Sequence, residues 1–155
     1  MLSRYERLSS AISEISRLIN RISAEVMKDY GLKGAWAKYL LVMHRHKTGI
    51  TAARLCLLCE RNKSDVSRAL AELEELGLIM KLSGNRYRAK LILTERGSEI
   101  ATGIARRAMD VITFVGKDIS EDEREIFYHS LDSISQNLAT IEDGSLSAIS
   151  PSDNT

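Results

Sequence analysis

Two heptad seams bracket this chain and constrain its fold more than any other feature. Leu8, Ile12, Ile15, Ile19, Ile22 and Val26 are spaced 4-3-4-3-4, and Phe127, Leu131, Ile134, Leu138 and Ile141 are spaced 4-3-4-3. At about 3.6 residues per turn, each set falls on one narrow stripe of a helix, the pattern of helices packed lengthwise on other helices. The first helix is expected over residues 3–29, with Gly31 and Gly34 breaking it. The last opens at Ser120-Glu121-Asp122-Glu123, a capping box with serine at the cap and glutamate three positions on. Such helices need partners. A C2 homodimer in which they bury each other supplies them, and the alternative is that both seams pack within one chain.

The length, 155 residues, fits one domain or one domain with oligomerising arms. With 44% hydrophobic and 28% charged residues the composition is that of an ordinary globular protein. Two cysteines, Cys56 and Cys59, are too few for a secreted disulfide framework. No apolar run approaches the roughly 18 residues of a membrane span, and the first residues lack the apolar stretch of a signal peptide. A cytoplasmic protein without membrane contact is expected. The net charge of +1 hides a gradient: residues 1–50 carry nine bases against four acids, whereas residues 118–155 carry one base, Arg124, against nine acids. A basic body permits contact with a polyanion.

Between the seams the chain changes rhythm. A second helix is expected at about residues 35–45, a short helix at 52–59, and another at 63–76 with Asn62 or Ser64 as cap and Gly77 as stop. Ile50-Thr51 is long enough only to edge a small sheet. Two short β-type runs, 78–82 and 88–93, flank a turn at 83–87, and Thr94 then caps a long helix to about residue 115.

Helix, helix, basic hairpin is the order of a winged helix-turn-helix. In the helix over 63–76, Val66, Ala69, Leu70, Leu73 and Leu76 gather on one side and must pack on the module core. The opposite side presents Ser64, Ser67, Arg68 and Ala71, with Lys63 at its start. Small residues permit close approach to a major groove, and the polar ones supply donors for phosphates and base edges. Glu72, Glu74 and Glu75 come only later. The hairpin carries Lys81, Arg86, Arg88 and Lys90 with no acid, and arginine near a wing tip suits the negative potential of a minor groove. An ordinary amphipathic surface helix is the competing reading of the helix alone.

The run Asn62-Lys63-Ser64-Asp65-Val66-Ser67-Arg68-Ala69-Leu70, with Leu73-Glu74-Glu75-Leu76-Gly77-Leu78-Ile79, resembles the recognition helix of the multiple-antibiotic-resistance regulator (MarR) family. Leu91-Ile92-Leu93-Thr94-Glu95-Arg96-Gly97 resembles that family's passage from wing to dimerisation helix. The resemblance implies a mainly α fold with a small β-wing. It also implies a homodimer with intertwined terminal helices, a palindromic double-stranded operator, and a repressor released by a small molecule or by oxidation. It places Ser64, Ser67 and Arg68 at groove-facing positions, Lys63 at the helix start and Arg88 as the wing arginine. Two features depart from the pattern: Arg86 stands where the family often has an acid to orient the wing arginine, and the wing is short. Asp65, near the groove face, is unusual in charge, either to accept from a cytosine amino group or to be turned aside. The expected DNA-contacting set is Lys63, Ser64, Asp65, Ser67, Arg68, Ala71, Arg86, Arg88 and Lys90. Residues 1–47 and 95–142 form the helical dimerisation region, 48–94 the winged module, and 143–155 a disordered tail.

Sensing chemistry is less marked. Cys56-Leu57-Leu58-Cys59 places two thiols on one short helix, as core residues or as a redox pair. With no second C-x-x-C and with His44, His46 and His129 scattered, no metal site is expected. The family architecture suggests an effector pocket near Arg17, Met27, Trp36, Lys38, Tyr39 and Met43. No phosphate-binding loop, nucleophile elbow or zinc-protease motif occurs, so neither an enzyme nor a bound cofactor is expected. A winged module that binds protein rather than DNA remains the rival.

Overall fold

The computed structural model describes residues 3–82 and 89–142. Helix α1 (Arg4–Lys28) opens on a capping box in which Ser3 Oγ accepts from Glu6 N at 3.1 Å and Glu6 Oε2 accepts from Ser3 N at 2.7 Å. Only its end enters the core, through Met27. The expected seam is helical but open, with Leu8, Ile12, Ile15 and Ile19 43–51% exposed.

The next helix does not begin as one α-helix near residue 35. A 3-10 turn, Gly34–Trp36, comes first, and α2 (Ala37–Arg45) follows. Lys33 offers no side-chain cap, so the chain tightens: Trp36 N donates to Lys33 O at 3.0 Å. Trp36 and Ala37 are already buried there.

Thr51 caps α3 (Ala52–Cys59), its Oγ1 accepting from Arg54 N at 3.3 Å. Glu60 ends α3 in the left-handed region at φ 52°, and the chain turns into α4 (Lys63–Glu75). A three-residue hairpin follows, β1 (Ile79–Lys81) antiparallel to β2 (Leu91–Leu93), with Ile79 opposite Leu93, Met80 opposite Ile92 and Lys81 opposite Leu91. Ile50 does edge this sheet, exchanging bonds of 3.0 and 2.8 Å with Leu91. The regular strands are shorter than the apolar runs that predict them. The expected turn at 83–87 lies outside the described residues.

Gly77 ends α4 as expected. At φ +69° it lets Gly77 N reach Glu74 O at 3.0 Å and Leu78 N reach Leu73 O at 2.9 Å, a Schellman closure. Leu76 corrects the expected core stripe. It is 43% exposed, because the reversal at Gly77 delivers Leu78 to the core instead. Val66, Ala69, Leu70 and Leu73 are buried with Leu40, Leu55 and Ile79.

Thr94 joins the hairpin to α5 (Glu95–Val115). Its Oγ1 donates to Gly77 O at 2.7 Å and accepts from Gly97 N at 3.1 Å, while its backbone N donates to Leu78 O at 3.0 Å. Gly97 is required by this approach: a Cβ there would stand 1.9 Å from Leu78 O.

The chain divides into two units, Met1–Val111 and Ile112–Thr155, the boundary falling within α5. In the second, α6 (Glu121–Glu142) begins at the expected box. Ser120 N and Oγ donate to Glu123 Oε2 at 2.9 and 2.7 Å. Ile126, Phe127, Tyr128 and Leu138 are exposed on α6, and the seam residues Leu131, Ile134 and Ile141 are half-buried. The tail expected at 143–155 lies outside the described residues. Among the described residues no helix is long and apolar enough to cross a membrane.

Candidate nucleic-acid interface

Local chemistry sets the start of α4. Asn62 Oδ1 accepts from Asp65 N at 2.8 Å, satisfying a backbone donor that the first turn would otherwise leave open. Arg61 N donates back to Cys56 O at 3.1 Å, which fixes the α3–α4 turn. With Val66, Ala69, Leu70 and Leu73 buried on one side, α4 has one way to lie, and Lys63, Ser64, Ser67, Arg68 and Ala71 are all exposed on the other. The structure therefore brings these expected residues onto one outward face. Lys90 is exposed within the hairpin, just before β2, where its carbonyl accepts from Leu82 N at 2.8 Å. Arg86 and Arg88 lie outside the described residues.

Beside that face runs a groove of about 620 Å³, with Ala53, Lys63, Ser67, Ala71, Lys81 and Ala89 among its walls. Its small side chains leave room for a backbone to approach, and Lys63 enters no ion pair among the described residues.

Three of the four acids of α4 are compensated. Glu72 pairs with Lys33, Glu74 Oε2 lies 2.7 Å from Lys81 Nζ, and Asp65 Oδ1 lies 2.7 Å from Arg68 Nη2. Exposed pairs of this kind add little stability. Their effect here is to cancel negative potential close to the outward face. Lys33 also sits over the Trp36 ring, 4.9 Å from its centroid. Sequence reasoning missed Lys33 because it stands 39 residues from Glu72 and has no motif around it.

The expected effector residues are dispersed. Met27 and Met43 are sealed in the core, Arg17 is exposed on α1, and Trp36 and Tyr39 are buried. Lys38 and Tyr39 do meet, in a cleft of about 290 Å³ that Ser16, Asn20, Cys59 and Arg61 also line. Desolvation raises the Tyr39 hydroxyl above its ordinary pKa. Cys59 is 2% exposed, and burial pushes its thiol up as well; Cys56 is half-buried. No group of three potential metal ligands occurs among the described residues.

The sequence model described as the MarR family matches residues 30–84, which include α2, α3, α4 and β1. No curated protein matches the chain. Among solved structures it is similar to a MarR-family transcriptional regulator from Listeria monocytogenes complexed with 26mer DNA, at 24% identity over 93% of this chain and 97% of that one, TM-score 0.80. It is similar to a SlyA-like transcription regulator from Listeria monocytogenes, at 25% identity over 87% and 93%, TM-score 0.77. It is also similar to MepR of S. aureus in a DNA complex, at 19% identity over 88% and 99%, TM-score 0.78. The shared feature is the fold.

Proposed function

We propose that this chain, whose residues 30–84 match the MarR family of transcriptional regulators, is a cytoplasmic, non-catalytic, homodimeric repressor. It reads a palindromic double-stranded operator with α4 and leaves it when a small molecule binds. The observation that carries this reading is the outward face of α4, where Lys63, Ser64, Ser67, Arg68 and Ala71 stand exposed while the opposite side is locked in the core. Small and hydrogen-bonding residues with two cations are what a helix needs to enter a major groove. The DNA-bound structures of the Listeria and S. aureus proteins with this fold support the same use of the module.

Dimerisation rests on apolar residues left in water. Leu8, Ile12, Ile15 and Ile19 in the first unit, and the seam residues Phe127 and Leu138 in the second, are exposed at helical spacing. A second copy would bury them, and two-fold symmetry would set the recognition helices one DNA turn apart, roughly 34–36 Å. The cleft at Lys38, Tyr39 and Arg61 presents cations beside an aromatic hydroxyl, which suits a small organic anion. An effector of this kind acts by preferring a conformation other than the one DNA prefers. The raised thiol of Cys59 is the reverse of the exposed thiolate that oxidation sensing requires.

The test is binding of the purified protein to duplex fragments from its own upstream region, with salt titration, footprinting and sedimentation. A protected palindrome bound by a dimer, well above random DNA, supports the reading. A folded dimer that binds no DNA at low salt would shift the assignment to a protein-interaction module.

A further inference from the structure

The geometry points to Asp65 as a positioning residue that props the Arg68 guanidinium for reading one base pair. This rests on the proposal that α4 reads DNA, and it goes further by assigning a task to the acid whose charge is unusual near a groove face.

Three residues form a line along α4. Asn62 Nδ2 donates to Asp65 Oδ2 at 2.8 Å, and Arg68 Nη2 donates to Asp65 Oδ1 at 2.7 Å. Asp65 N in turn donates to Asn62 Oδ1 at 2.8 Å. The carboxylate is thus held at both oxygens, once by the cap of its own helix and once by the arginine three residues on. Asp65's side chain is 40% exposed and Arg68's 72%, so the arginine reaches into solvent from a fixed root.

A free arginine side chain loses much rotamer freedom when it docks on a base. A guanidinium has five donors in a planar fork. Among the described residues the Asp65 contact is its one side-chain bond, which leaves most of the fork for two parallel acceptors such as guanine O6 and N7. At about 100° per residue, Asp65 flanks Arg68 on one side of the helix, and Ser64 and Ala71 flank it on the other. The prop therefore stands on one side, and the small residues leave the other open.

The rival role is simple charge balance. An acid on a face that meets phosphate weakens binding, and pairing with Arg68 would only limit that loss. The two roles differ in what removal does. Charge balance predicts that loss of the acid tightens binding to every sequence alike. A prop predicts that discrimination falls at the base pair under Arg68 while affinity for random DNA holds or rises.

The experiment uses the full chain and a randomised duplex library to define the preferred site. Competition titrations at fixed salt then compare wild type, D65N, D65S, R68A and D65N/R68A, with circular dichroism verifying each fold. We expect R68A to flatten preference at one base pair per half-site by about tenfold. D65N and D65S should flatten the same base pair by about three- to tenfold, and the double variant should match R68A, since the prop has no task without its arginine. Unchanged preference in both Asp65 variants, with affinity raised equally for all sequences, would overturn the inference and leave the DNA-reading proposal intact. A wild-type protein that selects no sequence would overturn both.

Discussion

Arg68 Nη2 lies 2.7 Å from Asp65 Oδ1, so a strongly exposed cation of α4 is tethered to an acid one helical turn before it. Lys63, at the helix start, has no such tether among the described residues. The two cations are therefore placed for different work, one held in a defined direction and the other a mobile point charge.

That difference is measurable. In binding titrations, Arg68→Ala should cost about 1–3 kcal/mol on the preferred site and far less on random DNA. Lys63→Ala should weaken all sequences comparably and lower the slope of log K against log salt by about 2, about one for each protomer of the dimer. A slope unchanged in Lys63→Ala would remove it from the phosphate contacts.

Gly97→Ala should destabilise the first unit. Its added Cβ would meet the Leu78 carbonyl at 1.9 Å, and backbone cannot swing aside as a side chain can. A cost of about 1–3 kcal/mol is expected, read as a lower melting temperature. Gly103→Ala is the control. Its Cβ would meet the far end of the Tyr30 side chain, Oη at 2.1 Å and Cζ at 3.2 Å, which can rotate aside, and alanine favours a helix interior. Equal losses in the two variants would contradict this account.

Acid should loosen the starts of α1 and α6. Glu6 is held below its ordinary 4.5 by the backbone N–H of Ser3 and then its hydroxyl; Glu123 is held below 4.5 by the hydroxyl of Ser120 and then its backbone N–H. Folded values below unfolded ones give a contribution complete above about pH 4.5 and lost as pH falls through the lowered values. Helical circular dichroism should decline below pH 4.5, and less so in Ser3→Ala and Ser120→Ala. Because both carboxylates are exposed, the amplitude will be small.

A thiol-specific reagent should label Cys59 slowly in the folded protein and at the ordinary rate in denaturant. Burial both blocks access and raises the pH at which its thiolate forms. Rapid native labelling of Cys59 in a Cys56→Ser variant would show that the core opens there.

Caps and stops were legible because they are local. Thr94, Ser120 and Gly77 each declare themselves within four residues, and each element begins or ends as they require, whereas the Ser3–Glu6 box at the start of α1 was not read. The buried side of α4 followed from period alone until Leu76, where the chain had already started to reverse. The 3-10 turn at Gly34 was not legible, since it depends on what Trp36 packs against. Nor was the Lys33–Glu72 pair, whose partners meet only after folding. Asp65 was visible as an oddity, but its bonds to Asn62 and Arg68, each three residues away, were not read from the sequence.

Thr94 shares one hydroxyl between Gly77 O and Gly97 N, at 2.7 and 3.1 Å. The exit of α4 and the entry of α5 are thereby riveted at a single atom, with Thr94 N fastened to Leu78 O beside it. The first turn of α5 and the end of α4 therefore share one hinge pin, and a displacement of either strains the same hydrogen bonds.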